Sequence, residues 1–555
     1  MNPLWILLIG MVVVVGGVLV LRLHAFLALV LGALVVALLT PPKVSLRHAM
    51  RDKEMPITAV LPSSVVTFDI GKRKHVPGTP LVLMKIHPTA GPVRVANATV
   101  TEAGGGKANA TIAPLAGVPD YGPPVVGDVL LTPADADAAI KASNSSLGDR
   151  LANGFGKTAI SIGILIALAS IVGETLLMSG GAERIVASSR RAVGDRHAGL
   201  AFLGSGFVLG IPVFFDTVFY LLVPLGKVMR IRSGGNYTLY ILCIVAGATM
   251  THSLVPPTPG PLFVADALGV DLATMILAGL CVSAVAALFG YGYAYWINKR
   301  IDIPLRESAS ISREELESIA ARDESTLPPL WLSLLPILLP VVLIAGAAFL
   351  PAPFAGESAL LTRARPILDQ LGDKNIALLI AAIIGLLMVA TRPGQDSSAV
   401  SKGVGEALAS AGVIILITAA GGAFGQMLQQ TDIADVIKDM VPAGKLALLP
   451  LVFLVTTLVR TAQGSATVAM ITAAGIAAPL ALGGGLGFHP VYLALAIGCG
   501  SKPIMWMNDS GFWIIGKMSG FTESETLRTA TVMMIIMALA GLAAVMLGAW
   551  LLPMT

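Results

Sequence analysis

The sequence predicts an all-α polytopic membrane protein. It is built from two inverted repeats, each with a re-entrant hairpin and a broken helix, and carries a small β-rich extramembrane insert. Three observations support this. Of the 555 residues, 55% are hydrophobic and only 13% charged, against about 25% charged in soluble domains. Apolar runs of roughly 17–25 residues recur, each long enough to cross a hydrocarbon core of about 30 Å. The third observation is an internal match at an offset of 252 residues, developed below.

The chain divides in order. Residues 1–40 hold two apolar spans, 3–21 and 25–40, parted by Arg22, Leu23 and His24. The N-terminus lacks a positive leading segment and an obvious small-residue cleavage site, so it reads as a retained helix. Residues 41–156 change character: charges, prolines and short alternating runs replace long apolar stretches. Segments 65–70, 81–86 and 93–100 read as strands bounded by Gly and Pro. Asn97, Asn109 and Asn144 lie in glycosylation sequons, which arise often by chance. Cys243, Cys281 and Cys499 lie far apart in apolar segments without metal-ligand spacing, and read as buried fillers.

Residues 157–297 form the first membrane repeat. A span at 158–178 is followed by a basic loop with Arg184, Arg190, Arg191 and Arg196; residues 199–226 are apolar and end at Lys227, Arg230 and Arg232. Basic residues at both ends place both on the cytoplasmic side, which one straight helix cannot satisfy. A hairpin can, and Gly210–Asp216 supplies its tip. The next span, 237–266, is broken by Thr251–Pro261, whose four prolines in six residues cannot continue a helix. After a span at 272–297, residues 298–328 read as a cytoplasmic linker with a short surface helix in 312–324. Residues 329–403 hold connecting spans at 330–350 and 375–390.

Residues 404–555 form the second repeat. A span at 405–428 leads to an acidic loop with Asp432, Asp435 and Asp439. A hairpin near 446–482 follows. Fourteen uncharged residues, Leu446 to Val459, run into Arg460 and then Thr461, Gln463, Gly464, Ser465, Thr467 and Thr472. An arginine at the bilayer centre costs roughly 2.5–3.5 kcal/mol by insertion scales, so it should face a protein interior or a watery cavity. A backbone opening at Gly464 is tolerated at that depth only where it lines a cavity. A span from Val491, a break at 503–511 and a last helix at 529–552 complete the chain.

Shifting Gly173–Val186 by 252 residues superposes it on Gly425–Lys438, and the same shift carries Pro212 onto Gly464 and Pro257 onto Asp509. With Arg22 and the Arg184–Arg196 loop cytoplasmic, residues 158–178 run inward and 405–428 outward. The halves are then inverted, as in secondary transporters whose site lies between discontinuous helices, and the insert faces the periplasm.

Four stretches carry a family resemblance: GFVLGIPVFFDTVFYLLVPL (206–225), HSLVPPTPGP (252–261), RTAQGSATVAMITAAGIAAP (460–479) and NDSGFW (508–513). Over about residues 157–555 the chain resembles the bacterial gluconate:proton symporter family. The resemblance implies proton-coupled uptake of gluconate or a related sugar acid across the cytoplasmic (inner) membrane, a fold like the wider ion-transporter superfamily, and a homodimer. The chain departs from that pattern in the insert, at Thr258 where a second His is usual, and at Lys502 where a cation is not.

The candidate substrate residues are Arg460, Gln463, Gly464, Ser465, Thr467, Asn508, Pro257 and Gly260. The Arg460 fork matches a carboxylate; its alternative is a structural pair with an acid such as Asp509. The small hydroxylated residues can donate to sugar hydroxyls or simply pack helices. Asn508 both donates and accepts. Asp509 is either a ligand group or the N-cap of the following helix, with Lys502 near enough in sequence to neutralise it. Asp216, Asp509 and His252 are the proton-coupling candidates, because a desolvated carboxylate or an imidazole can change charge near neutrality. His252 is alternatively a hydrogen-bonded structural residue.

No Walker A loop, nucleotide-binding glycine loop or zincin motif occurs. Neither an enzyme, a cofactor, a metal nor nucleic acid is expected; the expected partners are a small anionic sugar acid, a proton and the bilayer. Sodium coupling and a membrane sensor using residues 41–156 are the alternatives.

Overall fold

The fold comes from a computed structural model. It describes the chain apart from residues 1–2, 42–43, 46–48, 51–52, 63, 70–75, 88–90, 105–106, 116, 120, 195–196, 302, 307–325, 350–358, 393–396, 432–444, 483–485, 508 and 555. The expected surface helix in 312–324, the acidic residues Asp432, Asp435 and Asp439, and Asn508 lie outside the described residues.

Residues 55–131 form a closed barrel of β1 (Met55–Leu61), β2 (Val65–Asp69), β3 (Pro80–His87), β4 (Gly91–Gly104), β5 (Lys107–Pro114) and β6 (Val129–Leu131), in the order β1-β2-β5-β4-β3-β6. Its pairs are antiparallel, and β1 closes on β6 with Met55 opposite Leu130. Alternation explains the closure. Met55, Ile57, Val66, Phe68, Leu81, Leu83, Ala110 and Leu130 point into one core, and closing the sheet removes the edges an open sheet would expose. The outward-facing Val82, Met84, Val129 and Leu131 are covered by Ala136 and Ala139 of the helix Pro133–Ser143. Strands read from sequence at 65–70, 81–86 and 93–100 coincide with β2, β3 and β4. Strands β1, β5 and β6 were not expected: β6 has only three residues, and β5, KANATIAP, is Ala-rich with weak strand propensity.

Elsewhere the described chain is helical. Six helices are long and apolar enough to cross a membrane, or seven if Arg365–Leu371 and Lys374–Ala390, bent by 68°, form one span. Leu147–Met178 begins well before residue 158, because Ser146 caps it by accepting from Asp149 N at 3.1 Å. At 1.5 Å per residue its 32 residues run about 48 Å, beyond the hydrocarbon thickness. It packs lengthwise on Ser397–Gln429, which also packs on Ala466–Leu482. There a Cβ on Gly425 would lie 3.0 Å from the Gly475 Cα, so only glycine lets these backbones meet so closely.

Six shorter apolar helices occur among the described residues, and four of them flank the turns and the second break. Ala198–Leu209 has 12 residues, about 18 Å of helix, and is followed after a turn by Phe215–Ser233. Leu448–Gln463 and Ala466–Leu482 are likewise joined through Gly464 and Ser465, and Pro490–Gly500 stops at a break before Ser510–Ser519. The stretch Tyr237–Ala267 is interrupted between Leu254 and Pro259. In its most apolar window 94% of residues are buried, against 39% in Leu272–Asn298. The broken helix is therefore central, and the unbroken ones carry the lipid-facing surface.

Connecting segments are tied to helix ends. Arg184 donates to the carbonyls of Pro328 at 2.7 Å and Leu327 at 2.9 Å. Arg306 grips Glu525 with two bonds, at 2.6 and 2.8 Å, and reaches the Gly520 carbonyl. That carboxylate holds the Arg306 guanidinium above its ordinary pKa. Two further helices were not expected, Gly181–Val193 and Ala359–Leu371. Both are amphipathic rather than continuously apolar, so the arginines of 181–193 lie on a helix and not in a loop.

Candidate functional site

The first hairpin turns at Gly210–Phe214, and Asp216 falls in the first turn of Phe215–Ser233. Its carboxylate is half-buried and lines a cavity of about 440 Å³. Among the described residues it has no ion-pair partner. His252, at the end of Tyr237–Leu254, lines the same cavity, with its ring edge-on to Phe214 at 5.9 Å. Its Nδ1 is buried without a hydrogen-bond partner among the described residues. The His252 carbonyl accepts from Thr258 at 2.7 Å, so Thr258 closes the broken helix through its hydroxyl.

The second hairpin turns at Gly464, whose φ of +81° lies in the left-handed region open to glycine at little cost. Its N–H donates to the Arg460 carbonyl at 2.8 Å, ending the helix Leu448–Gln463. Arg460 is only 5% exposed. Its Nε donates to the Ser501 carbonyl at 3.0 Å, the guanidinium also donates to the Gly464 carbonyl, and it forms an ion pair with Asp509. Asp509, 4% exposed, caps Ser510–Ser519 by accepting from Gly511 N at 2.7 Å. Arg460 therefore ties the hairpin turn at Gly464 to both ends of the second break. Thr457 donating to the Gly500 carbonyl at 3.0 Å and Trp506 donating to the Thr461 carbonyl at 2.9 Å reinforce this joint.

The cavity wall combines both hairpins and the second break. Phe214, Phe215, Asp216 and Thr217 come from one hairpin, and Arg460, Gly464, Ser465 and Thr467 from the other. Lys502, Met505, Asp509 and Ser510 come from the second break. Thr249, Ser410, Ile414, Ile417 and Met534 complete the wall and were not singled out in the sequence. Ser410 is a hydroxyl within an apolar run, the one signal that pointed to it. Met534 follows a π-helical turn, Leu527–Thr531, and Thr531 there donates to the Met505 carbonyl at 2.5 Å.

The remaining candidates fall elsewhere. Pro257 lines a separate apolar crevice with Ile211, Pro212, Pro336 and Pro340. Gly260 is buried and packs against Met470 and the backbone of Thr467, behind the second hairpin. Neither lines the cavity. Gln463 is the last residue of its helix, and its side chain, like Asn508, lies outside the described residues. Ser465 accepts from Val468 N at 3.3 Å, so its hydroxyl also caps the second arm. Of the two cations the sequence offers to Asp509, Arg460 pairs with it and Lys502 does not.

Chemically, this is a cavity with two cations, two carboxylates, an imidazole and several hydroxyls against an apolar floor. Its volume falls within the roughly 300–1,000 Å³ typical of small-molecule sites. It suits a small polyhydroxylated anion.

The profile of the family described as GntP family permease matches residues 138–551, leaving the barrel outside. An uncharacterized permease of Haemophilus influenzae is 34% identical over 380 residues, 67% of this chain and 77% of its own. A gluconate permease of Pseudomonas aeruginosa is 33% identical over 397 residues, 71% of this chain and 86% of its own. Among solved structures, Neisseria gonorrhoeae MtrF, described as illuminating a class of antimetabolite efflux pumps, superposes with a TM-score of 0.56 at 17% identity. That alignment covers 80% of this chain and 90% of MtrF. At that identity the likeness is one of fold.

Proposed function

The chain belongs to the GntP family of permeases, and from that premise we propose that it takes up gluconate or a closely related sugar acid with protons across the cytoplasmic membrane. It is an integral membrane transporter, not an enzyme. The observation that carries the substrate reading is the cavity itself. It sits where both hairpin tips meet the second break, and it offers cations for a carboxylate and hydroxyls for a polyol. The name of the Pseudomonas aeruginosa relative supports gluconate.

Ser465, Thr467 and the Gly464 backbone face the substrate from the second hairpin, and Gln463 and Asn508 are kept as further hydrogen-bonding groups on the grounds of their sequence alone. Arg460 holds this side in shape through Asp509 and contributes its positive potential. Asp216 and His252 are the proton carriers of the opposite side, while Asp509 is engaged by Arg460. A carboxylate that faces a cavity without a cation on it can exchange its charge as substrate enters and leaves. Pro257 and Gly260 act indirectly, by setting the break that carries His252.

The two halves are inverted repeats in this reading; the element boundaries support the repeat, and the loop charges its inversion. Adding 252 to Ala198–Leu209 gives 450–461, against Leu448–Gln463. The same shift takes Phe215–Ser233 to 467–485, against Ala466–Leu482, and Pro259–Ala267 to 511–519, against Ser510–Ser519. The barrel lies on the periplasmic side, opposite the Arg-rich loops, and the protein works as a homodimer.

Uptake of labelled gluconate into right-side-out membrane vesicles tests the proposal. An inward proton gradient should drive accumulation that a protonophore abolishes. Accumulation that follows a sodium gradient instead, or simple equilibration, would refute proton coupling.

A further inference from the structure

Arg460 is the cation the sequence offers for the substrate's carboxylate, but its donors are already engaged. It is bonded to two backbone carbonyls and paired with Asp509, and all of these are buried. Recruiting it for substrate would leave Asp509 as an uncompensated buried charge, a costly arrangement. The cavity holds a second cation. Lys502 lies just past the end of Pro490–Gly500, with its N–H bonded to the Cys499 carbonyl at 3.1 Å. The residue is 4% exposed, and what exposure it has is to the cavity. Among the described residues its ammonium has neither an ion-pair nor a hydrogen-bond partner, although Asp216 lines the same wall. Arg460 and His252 line the cavity with it, and neither is an anion that could neutralise it.

A desolvated ammonium with three unfilled donors is an incomplete site, because burying a charge is tolerated when an opposite charge meets it. We infer that Lys502 receives the carboxylate of the transported acid, while the Arg460–Asp509 pair positions the wall around it. This rests on the reading of the cavity as a sugar-acid site and names its anionic anchor. It also divides the substrate along the cavity: the acid end lies toward the second break and the hydroxyls toward Ser465, Thr467 and Ser410.

The test uses the full chain purified and reconstituted into proteoliposomes, with labelled gluconate as substrate and unlabelled gluconate or its uncharged amide as competitor. Loss of one hydrogen bond to a charged group corresponds to a factor of about 10–100. Lys502→Met should therefore raise the KM for gluconate by about that factor and leave inhibition by the amide unmoved. Lys502→Arg should restore gluconate KM to within a few-fold. A wild-type KM in Lys502→Met overturns the inference, as does an equal weakening of gluconate and amide, which marks a structural role. If Lys502→Met does not reach the membrane, Lys502→Gln carries the same comparison. If the wild type transports another acid but not gluconate, the substrate reading falls and the comparison is made with that acid and its amide. If it transports no acid, both fall.

Discussion

Replacing Arg460 with Met should unbalance the joint between the second hairpin and the second break. The change removes the partner of a carboxylate that is 4% exposed, together with the bonds to the Ser501 and Gly464 carbonyls. Breaking a buried pair from one side costs about 3–5 kcal/mol, because the surviving charge stays buried. Replacing both partners with apolar or neutral groups of similar size removes that charge as well, and is often nearly neutral. Arg460→Met should thus destabilise by about 3–5 kcal/mol, and Arg460→Met combined with Asp509→Asn should recover at least about 2 kcal/mol of it. Unfolding in mixed detergent micelles measures the four free energies of the cycle, and membrane abundance gives an independent check. Additive single-variant effects, within about 0.5 kcal/mol, would refute the pair as the element that holds the joint.

Three further outcomes are expected. Asp216→Asn should lose accumulation driven by a proton gradient while retaining exchange of internal for external labelled gluconate; retained accumulation removes Asp216 as a proton carrier. Gly464→Ala places a Cβ at a φ of +81°, a strain of about 1–2 kcal/mol, and should lower transport several-fold at unchanged membrane abundance. Wild-type rates would show that the turn is not constrained. Excising residues 44–131, from just before the barrel to its last strand, should leave proton-driven uptake in place, since the matched permease region begins at residue 138. Loss of uptake at normal abundance would tie the barrel to transport.

The broken helices and hairpin turns were legible because their causes are local. Four prolines between Pro256 and Pro261 stop a helix wherever they stand, and Gly464 marks the one residue there that takes a left-handed backbone freely. Charged flanks and apolar runs likewise set the spans without reference to any partner. Barrel closure was not legible, since it depends on a three-residue strand, Val129–Leu131, pairing with strands 40 or more residues away.

What the sequence determined by itself was the class of molecule, the positions of its helix breaks and the polar residues near them. Only the tertiary structure decided which charges meet. Asp509 is seven residues from Lys502 and forty-nine from Arg460, yet it pairs with Arg460, because the hairpin brings Arg460 under the second break and turns Lys502 into the cavity. Pro257 and Gly260, five and eight residues after His252, pack away from the cavity that His252 lines. Charge pairing depends on distances across the fold, and a break in a helix fixes where the chain turns without fixing which side chain turns inward.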